Sequence, residues 1–208
     1  MTRHIIVGID EAGRGPLAGP ITAAVAAVIN SKFKMQSSKF LYGIKDSKKL
    51  SFRQRNEWIK KLKGAPLFLT AHASVGARTI DHIGITRAAK LAVGRCLKKL
   101  EKKCFKQTKN YKLSTIDYKI VLDGSLYAPR TYRSQETIIK GDEKIPLIAA
   151  ASIVAKVARD QKMTRLAKEY PRYQLDVHKG YGTMLHRRLI KKHGLSKIHR
   201  RSFCTKFV

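Results

Sequence analysis

Two adjacent carboxylates, Asp10 and Glu11, stand in a chain that carries little acid elsewhere. Its 208 residues hold 44 Lys and Arg against 14 Asp and Glu, a formal net charge of +30. The apolar run before the pair, Ile5-Ile6-Val7-Gly8-Ile9, is too short for a helix and suits a buried strand. The acids then emerge at the strand's carboxyl end, where open α/β sheets bind ligands. A Gly/Pro-rich turn whose acids satisfy backbone amides would account for Asp10-Glu11 taken alone. Gly13-Arg14-Gly15 tips the balance. Its glycines let a ligand approach backbone amides closely, and its arginine presents a planar, permanently charged fork suited to phosphate.

The chemistry this would serve is phosphodiester hydrolysis. That reaction needs an activated water, a stabilised leaving oxygen and neutralised phosphoryl charge, and a pair of divalent ions about 3.5–4 Å apart supplies all three. Small hard cations take oxygen ligands, so a few converging carboxylates suffice. Asp123 is a third candidate, since it follows the buried-type run Ile120-Val121-Leu122. An ordinary Asp-Gly turn explains it equally well. Asp160 is a fourth: Ala149, Ile153, Val157 and Asp160 fall at i, i+4, i+8 and i+11, which puts an acid on an apolar helical stripe. Such an acid needs a partner or a metal, and a salt bridge to Arg159 or another of the abundant cations is the alternative. Asp46, Asp117, Asp142, Glu143 and Asp176 are left outside the metal site, Asp46 because Ser47-Lys48 beside it favours capping or ion pairing. His178, His186, His193 and His199 show no metal-ligand spacing.

The segment from Asp10 to Pro20 closely resembles the signature of the ribonuclease HII family, the type 2 branch of the ribonucleases H. Further segments fit that family in order: Asp46-Ser47-Lys48-Lys49-Leu50, Leu122-Asp123-Gly124, the run from Ala151 to Asp160, and His178-Lys179-Gly180-Tyr181-Gly182-Thr183, ending with His199-Arg200-Arg201-Ser202-Phe203. The resemblance implies a ribonuclease H-like fold, a five-stranded mixed sheet flanked by helices with a C-terminal helical extension. It implies a metal-dependent endoribonuclease using two Mg2+ or Mn2+ ions, with Asp10, Glu11, Asp123 and Asp160 as catalytic metal ligands. It implies that Gly13, Arg14 and Gly15 read a ribonucleotide's 2′-OH, the group that distinguishes RNA from DNA, and that Tyr181 packs on the neighbouring sugar. Lys48 is a phosphate contact on the same reading, and Lys179 with the Arg187-Arg188 and Lys191-Lys192 face would hold the backbone. Taken without the family, Tyr181 is a tyrosine in a glycine turn and these cations are a solvated face. The substrates implied are RNA–DNA hybrids and duplex DNA containing ribonucleotides.

Composition bounds the alternatives. The strong positive charge calls for a polyanionic partner. Nucleic acid is preferred over membrane, because no apolar stretch approaches the roughly 20 residues of a bilayer span. The N-terminus meets acid by residue 10, which leaves no room for a secretory leader. Cys96, Cys104 and Cys204 form neither an even set nor a CxxC, which argues against a disulfide framework or a zinc ribbon. Cys96 and Cys104, in a helical pattern, read as packing residues, and the protein as reduced and cytoplasmic. A monomer is expected, and Phe203–Val208 shows no convincing sliding-clamp motif. Ribonuclease HIII, which carries lysine in place of Arg14 and a longer N-terminal region, is one alternative. A non-catalytic RNA-binding protein is another.

The elements that must position these groups alternate between strand and helix, which gives an α/β class with a mixed sheet. Strands are expected at Ile5–Ile9, Ile21–Ile29, Leu67–Val75, Tyr118–Leu122 and Thr137–Ile139. Ser51 caps a helix to Leu62, and a second helix runs from Ile85 to Cys104 on the stripe Ala88, Leu91, Ala92, Cys96 and Leu100. Residues 30–50 and 105–118 read as connections. Pro146 opens a long helix to Glu169, and a last one spans Thr183–His193 and stops at Gly194. One catalytic domain over residues 1–208 is expected, with a core to about residue 170 and the helical extension beyond it.

Overall fold

A computed structural model describes residues 4–29, 40–66, 68–108 and 117–206. Five strands form one sheet: β1 (His4–Ala12), β2 (Ile21–Ile29), β3 (Phe68–Val75), β4 (Asp117–Asp123) and β5 (Gln135–Ile138). Their spatial order is β3-β2-β1-β4-β5. β1–β2 and β2–β3 are antiparallel, whereas β1–β4 and β4–β5 are parallel. The sheet is therefore mixed, with five strands as expected. Leu67 and the connections at 30–39 and 109–116 lie outside the described residues.

The parallel pairing of β1 with β4 is what positions chemistry. Its register runs to Ile9↔Leu122, so the next residues, Asp10 and Asp123, stand side by side on neighbouring strands. Both point to the same face, because side chains alternate with period two. β1 continues through Asp10 and Glu11 to Ala12, so these acids belong to the strand's last turn of pleat rather than to the loop after it.

Helices cover both faces. α1 (Phe52–Gly64) begins at Ser51, whose side chain accepts from Gln54 N–H while Gln54 reaches back to the Ser51 amide, a capping box. α2 (Ala77–Ile83) and α3 (Ile85–Thr108) follow β3. α3 packs Ala88, Ala92, Cys96 and Leu100 on the sheet, with Val93 and Leu97 beside them. Leu91, expected on this stripe, is exposed instead, because the buried face is centred one residue further round. After β5 come α4 (Gly141–Lys144) and α5 (Pro146–Glu169).

α5 crosses β1 and β2 and is buried on most of its circumference. Its alanines 150, 151 and 155 meet Ala24 and Ala26 of the sheet, and small residues on both sides let the backbones approach. Gly8 carries this furthest: a Cβ there would lie 2.4 Å from the Leu147 carbonyl, so no larger residue fits the crossing. α6 (Leu175–His178) and α7 (Met184–His193) complete the chain, with Thr183 capping α7 and Gly194 ending it. No helix among the described residues is long and apolar enough to cross a membrane.

Candidate active site

Asp10 is 5% exposed, and its Oδ1 accepts the Glu11 N–H at 2.6 Å. Burial, reinforced by the charges of Glu11 and Asp123, pushes its carboxyl well above the ordinary range, although a hydrogen bond from Ser152 pulls the other way. Ser152 on α5 also meets Ser47 across 2.8 Å. Ser47 follows Asp46, whose Oδ1 accepts from Lys48 N–H at 3.1 Å and caps the turn Ser47–Lys49. The Asp46-Ser47-Lys48 segment is thus tied to Asp10 through two hydroxyls.

A third acid joins this pair from an unexpected place. Asp123 Oδ1 accepts the Gly141 N–H at 2.7 Å and the Asp142 N–H at 3.4 Å. Those bonds fix α4 against the end of β4. Asp10, Asp123 and Asp142 then each bring one carboxylate oxygen within 4.8 Å of the others. Burial raises Asp142 above its ordinary value, helped by Asp123 and Asp46, while Lys48 at 3.9 Å opposes. Three converging carboxylates, two of them held toward the protonated form by burial and mutual repulsion, fit a hard divalent cation.

Glu11 stands beside this cluster. Burial raises its carboxyl, Arg14 opposes, and Asp123 adds to the rise. Arg14 Nη1 reaches Glu11 Oε1 at 3.2 Å. Lys48, 81% exposed at its side chain, projects over the acids. Burial would lower its ammonium, yet Asp46, Asp142, Asp10 and Asp123 together hold it above the usual value.

Asp160 is not brought to this centre. It is buried, as its stripe position required, but its Oδ1 accepts from Lys156 Nζ at 3.0 Å. The helix explains why. Ser152 is the α5 residue that reaches Asp10, and Asp160 lies eight residues further on, about 12 Å along the axis at ~1.5 Å per residue. Asp142, excluded in the sequence reading, occupies the place assigned to Asp160. A Lys140-Gly141-Asp142 turn with Lys140 left-handed (φ 54°) carries no helical or strand period, so no pattern marked it. Asp46 also proves buried near the acids, as a capping residue.

The Gly13–Pro20 loop is clamped from below by two buried arginines. Arg200 donates to the carbonyls of Gly13, Arg14 and Gly19 at 2.6, 2.8 and 3.0 Å. Arg159 donates to Pro20, Ala18 and Lys179. Asp160 forms its ion pair with another of the cations, Lys156, rather than with Arg159. Gly13 has φ +92°, and a Cβ there would stand 2.0 Å from Arg159 Nε, so this glycine is a structural requirement. A Cβ on Gly15 would meet nothing within 4 Å; its side-chain direction opens to a ligand. Leu17 N–H donates to Gly180 O at 2.9 Å, which brings Tyr181 beside the loop. Tyr181 is 43% exposed, with the Arg159 guanidinium 5.5 Å from its ring.

Behind Tyr181 three histidines stack in the protein. His178 Nε2 donates to Tyr173 O, while its Nδ1 accepts from Gly180 N–H. His186 Nδ1 donates to Tyr181 O, and its Nε2 accepts from His199 Nε2 at 3.1 Å. His199 Nδ1 accepts from Ser196 N–H. Every ring nitrogen is matched only if all three rings are neutral. Burial lowers each, His186 and His199 to about 4. The unfolded chain then binds more protons below pH 6.5, so the stabilisation is complete above 6.5 and is lost as pH falls toward 4. In an NMR titration the His186 and His199 rings should stay neutral until about pH 4; titration near 6.5 would contradict the network.

Adjacent acids at the C-terminal ends of two parallel strands in a β3-β2-β1-β4-β5 sheet define a class: nucleases of the ribonuclease H-like fold with a metal-binding acidic site. The comparisons narrow it. The ribonuclease HII family model matches residues 7–206. Ribonuclease HII of Coxiella burnetii (strain RSA 493 / Nine Mile phase I) is 38% identical over 200 residues, covering 96% of this chain and 88% of that protein. Ribonuclease HII of Prochlorococcus marinus (strain MIT 9312) is 42% identical over 200 residues, covering 95% and 88%. The crystal structure of ribonuclease H2 from Pyrococcus horikoshii OT3 superimposes with a TM-score of 0.68 at 24% identity, covering 98% of this chain and 96% of that one. The chain belongs to the ribonuclease HII family and is a metal-dependent endoribonuclease.

Proposed function

We propose that this endoribonuclease hydrolyses the RNA strand of RNA–DNA hybrids and cuts on the 5′ side of single ribonucleotides embedded in duplex DNA. The observation that carries the reading is the convergence of Asp10, Asp123 and Asp142 beside Glu11, with an open Gly15 in the loop that follows β1. Asp10, Asp123 and Asp142, with Glu11, would hold two divalent ions, Mg2+ or Mn2+. Ions bound there supply water activation and charge neutralisation at the phosphate and the leaving 3′ oxygen.

The chain's own groups supply position. Arg200 and Arg159 engage the carbonyls of the Gly13–Pro20 loop from inside, which leaves the outer face of the loop for substrate. That face would read the 2′-OH through backbone groups, with Tyr181 on the adjacent sugar. Arg14 would exchange its contact with Glu11 for phosphate. Lys48 places an exposed ammonium next to the acids, where a phosphate oxygen would sit. The 2′-OH is then a recognition handle and not the nucleophile, so the products carry 3′-OH and 5′-phosphate ends. We take the enzyme to act as a single-domain monomer in the cytoplasm.

The test is cleavage-site mapping on end-labelled duplex DNA carrying one ribonucleotide. The expected product is a nick 5′ of the ribose with an extendable 3′-OH, abolished by chelation. Tyr181→Ala should lose much of the rate and keep metal binding. Equal cutting of all-DNA duplex, or a 2′,3′-cyclic phosphate, would overturn the mechanism. Absence of any cleavage would favour a non-catalytic RNA-binding protein.

A further inference from the structure

The β3 edge of the sheet, unpaired among the described residues, carries an arrangement that the acid cluster does not use. Thr70, His72 and Ser74 turn outward from β2, and each carbonyl accepts from a cation on α3. Lys103 Nζ meets Thr70 O at 2.6 Å, Lys99 Nζ meets His72 O at 2.9 Å, and Arg95 Nη1 meets Ser74 O at 3.3 Å. Four residues of helix rise about 6 Å and two residues of strand about 6.6 Å, so the two ladders stay in step. In an antiparallel strand a residue's N–H and C=O point the same way. The amides of Thr70, His72 and Ser74 therefore face outward as well.

Beside this edge is a recess of about 430 Å³ whose lining includes His72, Ser74 and Lys99 with Lys162, Arg165 and Glu169 of α5. Lys162 and Arg165 are exposed and make no ion pair with a described residue. Glu169 is the one acid in the lining. The local field is strongly positive: the His72 imidazole is lowered by burial and then by Lys99, Lys103, Lys63 and Arg165.

These features select an occupant. An added peptide strand needs free carbonyl acceptors for its own N–H groups, and here cations cover them, a device that blocks edge pairing. What remains is a surface of donors and positive charge. Phosphodiester oxygens, which only accept, suit it. We propose that the β3 edge recess binds the phosphodiester backbone of a nucleic-acid segment outside the catalytic cleft. Lys162 and Arg165 contact phosphate, and Lys99 shares its remaining donors. The register Asp10↔Ala24↔His72 puts the recess two strands from the acids, about 10 Å at ~4.8 Å per strand. It is a second foothold for the duplex backbone, and it rests on the nucleic-acid substrate class but not on the cleavage chemistry.

The experiment is fluorescence anisotropy with all-DNA duplexes of roughly 12 and 40 base pairs across a salt series, comparing the wild type with Lys162→Glu/Arg165→Glu. The double variant should bind the long duplex about tenfold more weakly. Its log–log salt slope should fall by about 1.8, two contacts at ~0.9 each. Lys162→Gln/Arg165→Gln should move both readouts the same way by less. Mn2+ binding at the acid cluster, read by calorimetry, should be unchanged in both variants, because neither side chain belongs to that cluster. Unchanged long-duplex affinity and slope in both variants would overturn the proposal. So would a poly-glutamate peptide whose binding the substitutions abolish while duplex binding is untouched. Because the binding duplexes hold no ribonucleotide, loss of cleavage by the wild type would count against the nuclease reading alone.

Discussion

Asp142→Asn should lower the single-turnover cleavage rate at least about a hundredfold, whereas Asp160→Asn should stay within about tenfold of wild type. Asp142 shares a 4.8 Å cluster with Asp10 and Asp123, so losing its charge removes one of three converging metal ligands. A hundredfold is about 2.7 kcal/mol of transition-state stabilisation, within what a metal ligand supplies. Asp160 accepts from Lys156 and stands a good part of α5 away from Ser152 and Asp10. Its substitution removes one ion pair. Mn2+ titration by calorimetry separates the two directly: Asp142→Asn should weaken binding and Asp160→Asn should not. Equal losses in both variants would restore Asp160 to the metal centre.

Arg200→Met should destabilise the protein by about 3–5 kcal/mol. The side chain is buried and donates to three carbonyls of one loop, and each buried acceptor left unpaired costs roughly 1–3 kcal/mol. The midpoint of thermal unfolding should drop by roughly 10 °C for a chain of this size. Discrimination between ribose and deoxyribose should fall with it even where the variant remains folded, since the same bonds hold Gly13 and Arg14 in place. A variant with native stability and native ribose preference would show that the loop needs no clamp from below. Removal of the Arg159 clamp is a harsher change, because that side chain also fills the space behind Gly13.

The sequence by itself determined the parts whose signals are local. The antiparallel strand at Ile21–Ile29, the helix from Pro146 to Glu169, the Ser51 cap and the Gly194 stop all follow from period, capping chemistry and proline or glycine placement. Asp10 and Asp123, which the structure brings together, were legible because each follows a buried-type apolar run. The short elements α2, α4 and α6 gave too few residues for any period to register. Asp160 drew notice as an acid on an apolar stripe, yet α5 is buried on most sides, so a stripe says that a residue is inside and not which neighbour it meets.

Which acids converge was decided only by tertiary structure. The parallel register of β1 with β4 sets Asp10 beside Asp123, and α4 is drawn in by its amides bonding to Asp123. The same holds for Arg200, some 187 residues from the Gly13 carbonyl that it holds, and for the three histidines whose rings satisfy one another across the C-terminal segment. Such pairings join groups far apart in the chain through hydrogen bonds that exist only once the sheet has brought its strand ends together. Local propensity carries no trace of them.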